Sequence, residues 1–482
     1  MSLKICQTCN SNSVITSTSL FCNVAMLPLF WQKQVFPAAA GVMVILIFVI
    51  SNFWTFKWKQ VYPETAEIQK ILNRVDTCLE AATISQEFKK IGYDIAARND
   101  AKHFIKVLRT IIPQNFSHKY LSPCWETNFS VSIKGRLLES KVGNITFLSN
   151  PWNYDFTGKK VFQFVKSKGT FKSNVVCLPK IFLLGLEKCG TTFLYCLMTD
   201  GLGRPPLQLR KEPFWWNQLQ EYQHHHVIPQ PENIPVYLLN FVKAYEMIAA
   251  GNYGVVTVDA SPNTMYTYND IYEETPADLC LLPAIIPEVL PDSKFVITLR
   301  NPTTMVYSAF LFSCKIRMKG KRMGSDSPDI FHERILTKLK QFEQCLKHFS
   351  LEWCARNITY DIYSHELPCG RTRISLAMYY IHIRKWLSVS SRDRFLFLTM
   401  DEVMKNTEAV GKMLWEFMGY PGEYKGVNAS ACKGMHNRNK YQNDPQLKMR
   451  NDTEMILNNF FQPYNRMLAE LLGDKKFLWE DN

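Results

Sequence analysis

"KIFLLGLEKCGTTFLY", residues 180–195, decides how the rest of the chain is read. An apolar run from Ile181 to Leu184 stops at Gly185; Gly190 follows, then Thr191, Thr192 and an apolar helical pattern. A strand that turns through glycine into a helix offers successive backbone N–H groups and a helix N-terminus to an anion. In a nucleoside-triphosphatase loop, G-x-x-x-x-G-K-[ST], the lysine follows the second glycine and reaches the β- and γ-phosphates. Here Thr191 holds that position, and the lysine, Lys188, lies inside the loop beside Cys189. The stretch reads as a phosphate cradle with hydroxyls from Thr191 and Thr192 and with Lys188 in reach of the bound group. A purely structural glycine turn is the competing reading.

Outward from this loop, short β-branched runs alternate with longer helical patterns. Strands are expected at Ile181–Gly185, Val255–Asp259, Lys294–Arg300 and Phe395–Met400, and helices at 191–199, 302–313, 372–388, 402–417 and 452–472. This alternation predicts an α/β domain over 176–482, a parallel sheet with helices on both faces. Ligands in such sheets bind beyond the carboxyl ends of the strands. The residues that follow each strand are therefore the ones to read for chemistry.

After the third strand comes "LRNPTTMVYSAF". Arg300 ends the strand and Ser308 lies on the following helix, so a planar fork of donors and a short hydroxyl can hold a second phosphate. The bland reading is a surface ion pair and a small helix residue. Taken together, K-C-G-T-T at Lys188–Thr192 and R-N-P-x-x-x-x-Y-S-type spacing at Arg300–Ser308 resemble the two nucleotide motifs of the Golgi carbohydrate sulfotransferases. The resemblance covers roughly 178–475. It implies a P-loop-like sulfotransferase fold and 3′-phosphoadenosine 5′-phosphosulfate as co-substrate, with no metal. That donor has no γ-phosphate, and charge develops on the oxygen bridging phosphate and sulfate. The resemblance places Lys188 there, where charge appears.

The same resemblance assigns "LRKEPFWW", residues 209–216. Glu212 stands at the general base, and a carboxylate near lysines stays ionised as a base requires. Lys211 stands beside donor or acceptor anions. Trp215 and Trp216 are core residues or a platform for a sugar face. Phe214 departs from the histidine of the family pattern. The adjacent His224, His225 and His226 read as loop residues and are the second choice of base. In "VDASPNTMY", Asp259 would orient the site and Ser261 would help bind donor or acceptor. "SLAMYYIHIRKWL" resembles a structural helix of these enzymes. In "KGMHNRNKYQND", Lys433, Gly434, Arg438 and Lys440 are candidates for closing over the 3′-phosphate. The implied acceptor is a sulfated glycosaminoglycan, the KEP-aromatic-WW form pointing to the 6-hydroxyl of N-acetylgalactosamine in chondroitin or dermatan sulfate. Another chain such as heparan sulfate, or an inactive glycan-binding relative, is the alternative.

Composition agrees with an anionic partner. The 482 residues carry a net charge of +13, which suits nucleic acid, acidic lipid or acidic polysaccharide; the motifs select the polysaccharide and not nucleic acid. Val35 to Phe56 is a run of 22 residues without charge, about 33 Å as a helix and enough to cross a hydrocarbon core. Trp31, Trp54 and Trp58 sit near its ends. The reading is a cytoplasmic tail at 1–34, an uncleaved transmembrane helix at 35–56, a stem and lead-in subdomain at 57–175 and the sulfotransferase domain at 176–482. Lys57, Lys59, Lys70 and Arg74 follow the span and only Lys33 precedes it closely, which favours an outside N-terminus. Six sequons, at Asn115, Asn128, Asn144, Asn357, Asn428 and Asn451, favour the opposite, a lumenal C-terminal part. The function decides for a single-pass type II protein of the Golgi membrane.

Eleven of the 14 cysteines follow the span. In a lumenal compartment some of them pair, with Cys189 as the expected free thiol. A phosphotransferase would need lysine at 191 and a carboxylate for magnesium; a lectin without chemistry would have lost Lys188, Glu212 or Arg300.

Overall fold

The computed structural model describes Arg74 and residues 105–151 without 107, 155–204, 206–216, 234–265, 278–317, 327–358, 372, 374–432, 434 and 444–480. The apolar run at 35–56 and the 57–73 stretch lie outside the described residues. Among the described residues no helix is long and apolar enough to cross a membrane.

Among the described residues, eight strands form two four-stranded sheets. The first is antiparallel: β1 (Cys124–Lys134), β2 (Leu137–Val142), β3 (Ile145–Ser149) and β4 (Thr170–Cys177), in the order β3-β2-β1-β4. Sequence reading placed no strand here, yet its signals are present. Two-residue turns, Gly135-Arg136 and Gly143-Asn144, join β1 to β2 and β2 to β3, and glycine at φ 65 and φ 59 supplies the left-handed geometry of tight hairpins. Cys124 and Cys177 sit opposite each other in the β1–β4 register and form a disulfide. The boundary expected at 175/176 thus falls inside β4.

The second sheet is parallel, as expected: β5 (Ile181–Leu183), β6 (Val258–Asp259), β7 (Lys294–Leu299) and β8 (Phe395–Thr399), in the order β6-β5-β7-β8. Ile181 pairs with Val258 on one side and Lys294 on the other, and Leu299 pairs with Thr399. The burial of β7 is nearly complete along its length, the mark of a strand covered on both faces. The strand order reverses at β5, so the loops after β5 and β7 flank a switch point where open α/β sheets bind ligands.

The helices are α1 (Asp155–Lys168), α2 (Thr191–Met198), α3 (Ile234–Leu239), α4 (Val242–Ala249), α5 (Asp278–Val289), α6 (Pro302–Arg317), α7 (Ser327–Leu346), α8 (Leu351–Ile358), α9 (Tyr379–Val389), α10 (Met400–Lys405), α11 (Thr407–Met418) and α12 (Asn451–Leu472). Two expected helices are divided. The 402–417 pattern is α10 and α11, because Asn406 at φ −122, ψ 45 leaves helical geometry. A capping box between Thr399 and Glu402 starts α10 directly at the end of β8. The 372–388 pattern is a 3₁₀ turn over Ile374–Ala377 followed by α9.

Candidate active site

The loop after β5 is shaped by a close approach. Leu184 N–H still pairs with Val296 O at 2.9 Å, and a Cβ on Gly185 would lie 2.5 Å from the Thr298 nitrogen. No side chain fits between these backbones. The chain then turns through Lys188 at φ 64 and Gly190 at φ 81. A left-handed lysine stores about 1 kcal/mol or more of strain, and such outliers persist where surrounding contacts fix them. Those contacts are visible. Arg300 Nη1 donates to Lys188 O at 3.5 Å and Thr298 Oγ1 to Cys189 O at 3.1 Å. Gly190 is the N-cap of α2 and brings no side chain to close off the first N–H groups of the helix. They remain available to an anion.

Cys189 is a free, buried thiol, and Cys314 is buried too. Burial pushes the Cys189 thiol up to about 12, and its Sγ lies 3.8 Å from Tyr379 Oη. It packs the floor of the loop as a neutral group and is no nucleophile. Tyr379 Oη donates to Arg300 O at 2.8 Å, so α9 fixes both the loop and the strand end. Arg300 Nε also donates to Thr304 Oγ1 at 3.0 Å. Thr304, Ser308 and Phe312 recur at i+4 along one face of α6. The Lys188 ammonium lies 4.2 Å above the Phe312 ring centroid, a cation–π contact worth about 0.5–1 kcal/mol at a half-exposed position. Arg300, Ser308 and the loop thus share one wall.

The opposite wall is the 209–216 stretch. Leu209 and Arg210 are hooked to Asn240: Leu209 N–H reaches Asn240 O at 2.7 Å, and Arg210 N–H reaches Asn240 Oδ1 at 3.0 Å. Lys211 O accepts from Ala260 N–H at 3.2 Å, and Phe214 N–H donates to Ser261 Oγ at 2.9 Å. Stitched to the end of β6, the segment turns Lys211 inward. Its ammonium lies 2.5 Å from Glu212 Oε1 and 3.4 Å from both Thr191 Oγ1 and Thr192 Oγ1. A cation therefore bridges the candidate base and the phosphate loop. Burial lowers the Lys211 pKa and the Glu212 carboxylate opposes that shift. Phe214 is the second non-glycine residue of the site with positive φ, at 54, and the Arg210 guanidinium lies 5.5 Å over its ring.

Several expected roles are corrected by burial. Trp215 and Trp216 are 1% and 0% exposed, so neither is a platform for a sugar. Trp215 stacks on Tyr237 at 4.9 Å, and Trp216 Nε1 donates to Tyr237 Oη at 3.0 Å. Tyr237 Oη in turn donates to Asp259 Oδ2 at 2.7 Å, and Ser261 N–H takes Oδ1 at 3.0 Å. Both Asp259 and Ser261 are buried. They orient the 209–216 stretch and touch no open surface. Burial raises the Asp259 pKa, and the Tyr237 hydrogen bond pulls it back. Of the 3′-phosphate candidates, Gly434 is exposed at φ 88, two residues beyond Cys432, which is disulfide-bonded to Cys196 of α2. Lys433, Arg438, Lys440 and His224, His225 and His226 lie outside the described residues.

Phe312, Tyr379, Thr298 and Tyr237 are site-supporting residues that sequence reading missed. Phe312 alone had a signal, the i+4 spacing from Ser308.

The sequence profile of the sulfotransferase domain matches residues 178–462. The chain belongs to the sulfotransferase family. This sulfotransferase is similar to carbohydrate sulfotransferase 15 of Mus musculus, at 26% identity over 397 residues that cover 77% of this chain and 67% of the mouse protein. It is 25% identical to carbohydrate sulfotransferase 15 of Homo sapiens over 400 residues, with the same coverage. A solved sulfotransferase from Alicyclobacillus acidocaldarius is similar at 17% identity and a TM-score of 0.39, over 62% of this chain and 97% of that one. The family uses 3′-phosphoadenosine 5′-phosphosulfate as its sulfate donor. The residues present fit such a molecule: an uncapped helix start, Lys188, Lys211 and two threonine hydroxyls at one end, and at the other Arg300, with Ser308, 4% exposed, one turn beyond its partner Thr304 on α6.

Proposed function

We propose that this sulfotransferase moves a sulfuryl group from 3′-phosphoadenosine 5′-phosphosulfate to a glycan hydroxyl, the 6-hydroxyl of N-acetylgalactosamine in chondroitin or dermatan sulfate. The observation that carries the reading is the bridge of Lys211 between Glu212 and the hydroxyls of Thr191 and Thr192. It sets a carboxylate within reach of the loop that holds the donor. Bound, the donor supplies an activated sulfuryl group on a phosphate leaving group. Glu212 takes the proton from the acceptor hydroxyl. Lys188 and Lys211 neutralise charge at the loop end, and Arg300 with Ser308 holds the second phosphate. Fixing these groups on two walls tied to one sheet supplies the alignment that an in-line transfer needs.

The acceptor class rests on the 209–216 stretch and on the names of the carbohydrate sulfotransferase relatives. A net charge of +13 favours a polyanionic chain. For location, the reading is a single-pass type II Golgi protein with this domain in the lumen. It is supported by disulfides Cys124–Cys177, Cys196–Cys432 and Cys345–Cys354, which suit an oxidising compartment. The sequon asparagines Asn115, Asn128, Asn144, Asn428 and Asn451 are all exposed.

The test is sulfate incorporation by the detergent-solubilised full chain, with labelled donor and chondroitin 4-sulfate, dermatan sulfate, heparan sulfate, keratan sulfate and desulfated controls. Label on chondroitin or dermatan sulfate, lost in Lys188→Ala and Glu212→Gln, is the expected result. Label on heparan sulfate alone would overturn the acceptor. No label on any chain, with donor binding intact, would overturn the activity.

A further inference from the structure

Far from this site, Tyr120 and Tyr253 meet edge to face with ring centroids 5.8 Å apart. Tyr253 lies at the start of the segment that ends in β6 at Asp259, and Leu121 N–H donates to Tyr253 O at 3.1 Å. The two rings therefore mark the amino end of the parallel strands, opposite the phosphate loop. With Lys119, Lys172, Glu246 and Asn128 they line a groove of about 890 Å³ between the antiparallel sheet and α4, a volume in the range of small-molecule sites.

Asn128 opens the sequon Asn128-Phe129-Ser130. The β1–β4 register shifts between Glu126 and Phe129, and this bulge re-aims the strand. Phe129, 2% exposed, enters the core while Asn128 faces outward on the groove wall. We propose that Asn128 carries an N-linked glycan and that its inner N-acetylglucosamine residues lie in this groove against Tyr253. The proposal rests on the lumenal placement put forward above.

Charge selects an uncharged sugar for the groove. Its lining holds Lys119 and Lys172 against Glu126 and Glu246, so the signs cancel on a protein that is otherwise strongly basic. Lys119 is further occupied, 3.9 Å from Glu126 and 4.6 Å over the Tyr253 ring, and Glu246 lies 4.0 Å from Lys168. A polyanionic chain gains little here. A neutral sugar finds the ring of Tyr253, a residue 41% exposed, with the Asn174 amide as a polar partner. Attachment at the wall also makes binding intramolecular, so weak contacts suffice. In the linking step Asn128 Nδ2 bonds to the anomeric carbon of a lipid-linked oligosaccharide, the bond from that carbon to the lipid diphosphate breaks, and the amide gives up one proton. The step precedes folding, when Ser130 is not yet in a strand.

The experiment uses the full chain expressed in human cells. Peptide N-glycosidase in ¹⁸O water is applied first to the native protein and then to the denatured one, and each sequon peptide is followed by mass spectrometry. Asn128 should be occupied, and its glycan should leave the native protein about tenfold more slowly than that of Asn144, the factor that about 1.4 kcal/mol of protection gives. Tyr253→Ala should abolish the difference, and Tyr253→Phe should retain it. An unmodified Asn128 beside modified Asn144 and Asn428 would overturn the proposal alone. Equal release rates, or slow release that survives Tyr253→Ala, would overturn the seat at Tyr253. No modification at any sequon would overturn the lumenal placement and this proposal with it.

Discussion

Replacing Lys211 with methionine tests the central contact of the site. The ammonium sits 2.5 Å from Glu212 Oε1 and 3.4 Å from the hydroxyls of Thr191 and Thr192. Side-chain exposures are 17% for Lys211 and 28% for Glu212, so the pair is screened only in part. A charged hydrogen bond contributes about 1.5–3 kcal/mol, and the residual solvent brings this pair to about 1–2 kcal/mol. Without the ammonium, Glu212 loses the contact that holds it beside the loop. Lys211 also faces the donor loop, and loss of one preorganised positive group there should lower kcat about 10²–10³-fold. Steady-state kinetics, with circular dichroism to verify folding, reads the loss. Lys211→Arg should recover part of the rate. Unchanged kcat and donor KM in Lys211→Met would refute the assignment and leave Lys211 as a packing residue.

Gly185→Ala should cost about 3 kcal/mol, because its Cβ would meet the Thr298 backbone at 2.5 Å and a backbone cannot give way like a side chain. Gly203→Ala, at φ 67 with open space around it, should cost only about 1 kcal/mol; thermal melts that rank the two the other way would sink this account of the loop. Cys432→Ser opens a disulfide of sequence separation 236 and Cys345→Ser one of 9. Chain entropy gives about 5 against about 2.5 kcal/mol, and denaturant midpoints should follow that order. His382 is buried with its value lowered to about 3, first by burial and then by Lys385. The unfolded chain binds a proton from about pH 6.5 downward and the folded one does not until about pH 3, so stability falls as pH drops through that window. Urea midpoints between pH 7 and pH 5 should fall less steeply in His382→Gln; an identical slope would show that His382 is not the group responsible.

The sequence by itself determined what is carried by short spacings. The turn from β5 into α2, the Arg300–Ser308 spacing and the Lys211–Glu212 pair are legible because a strand-turn-helix unit and an i+4 face are local. The parallel sheet was legible for the same reason, as alternating periods of apolar residues. Only the tertiary structure decided what depends on parts far apart in the chain. The order β6-β5-β7-β8 puts the loop and Arg300 on one crevice, and strand order is set by packing rather than by any single segment. Trp215 and Trp216 look alike as core or as sugar platform until Tyr237, brought in from α3, covers them. The antiparallel sheet was hidden for a different reason. Its hairpin signals are as clear as those of the parallel strands, but they sit among polar and sequon-bearing residues, and closure against β4 through Cys124–Cys177 is what makes them a sheet. The bridge of Lys211 to Thr191 and Thr192 joins segments about twenty residues apart. It exists because Asn240, Ala260 and Ser261 hold one wall while Arg300 and Tyr379 hold the other.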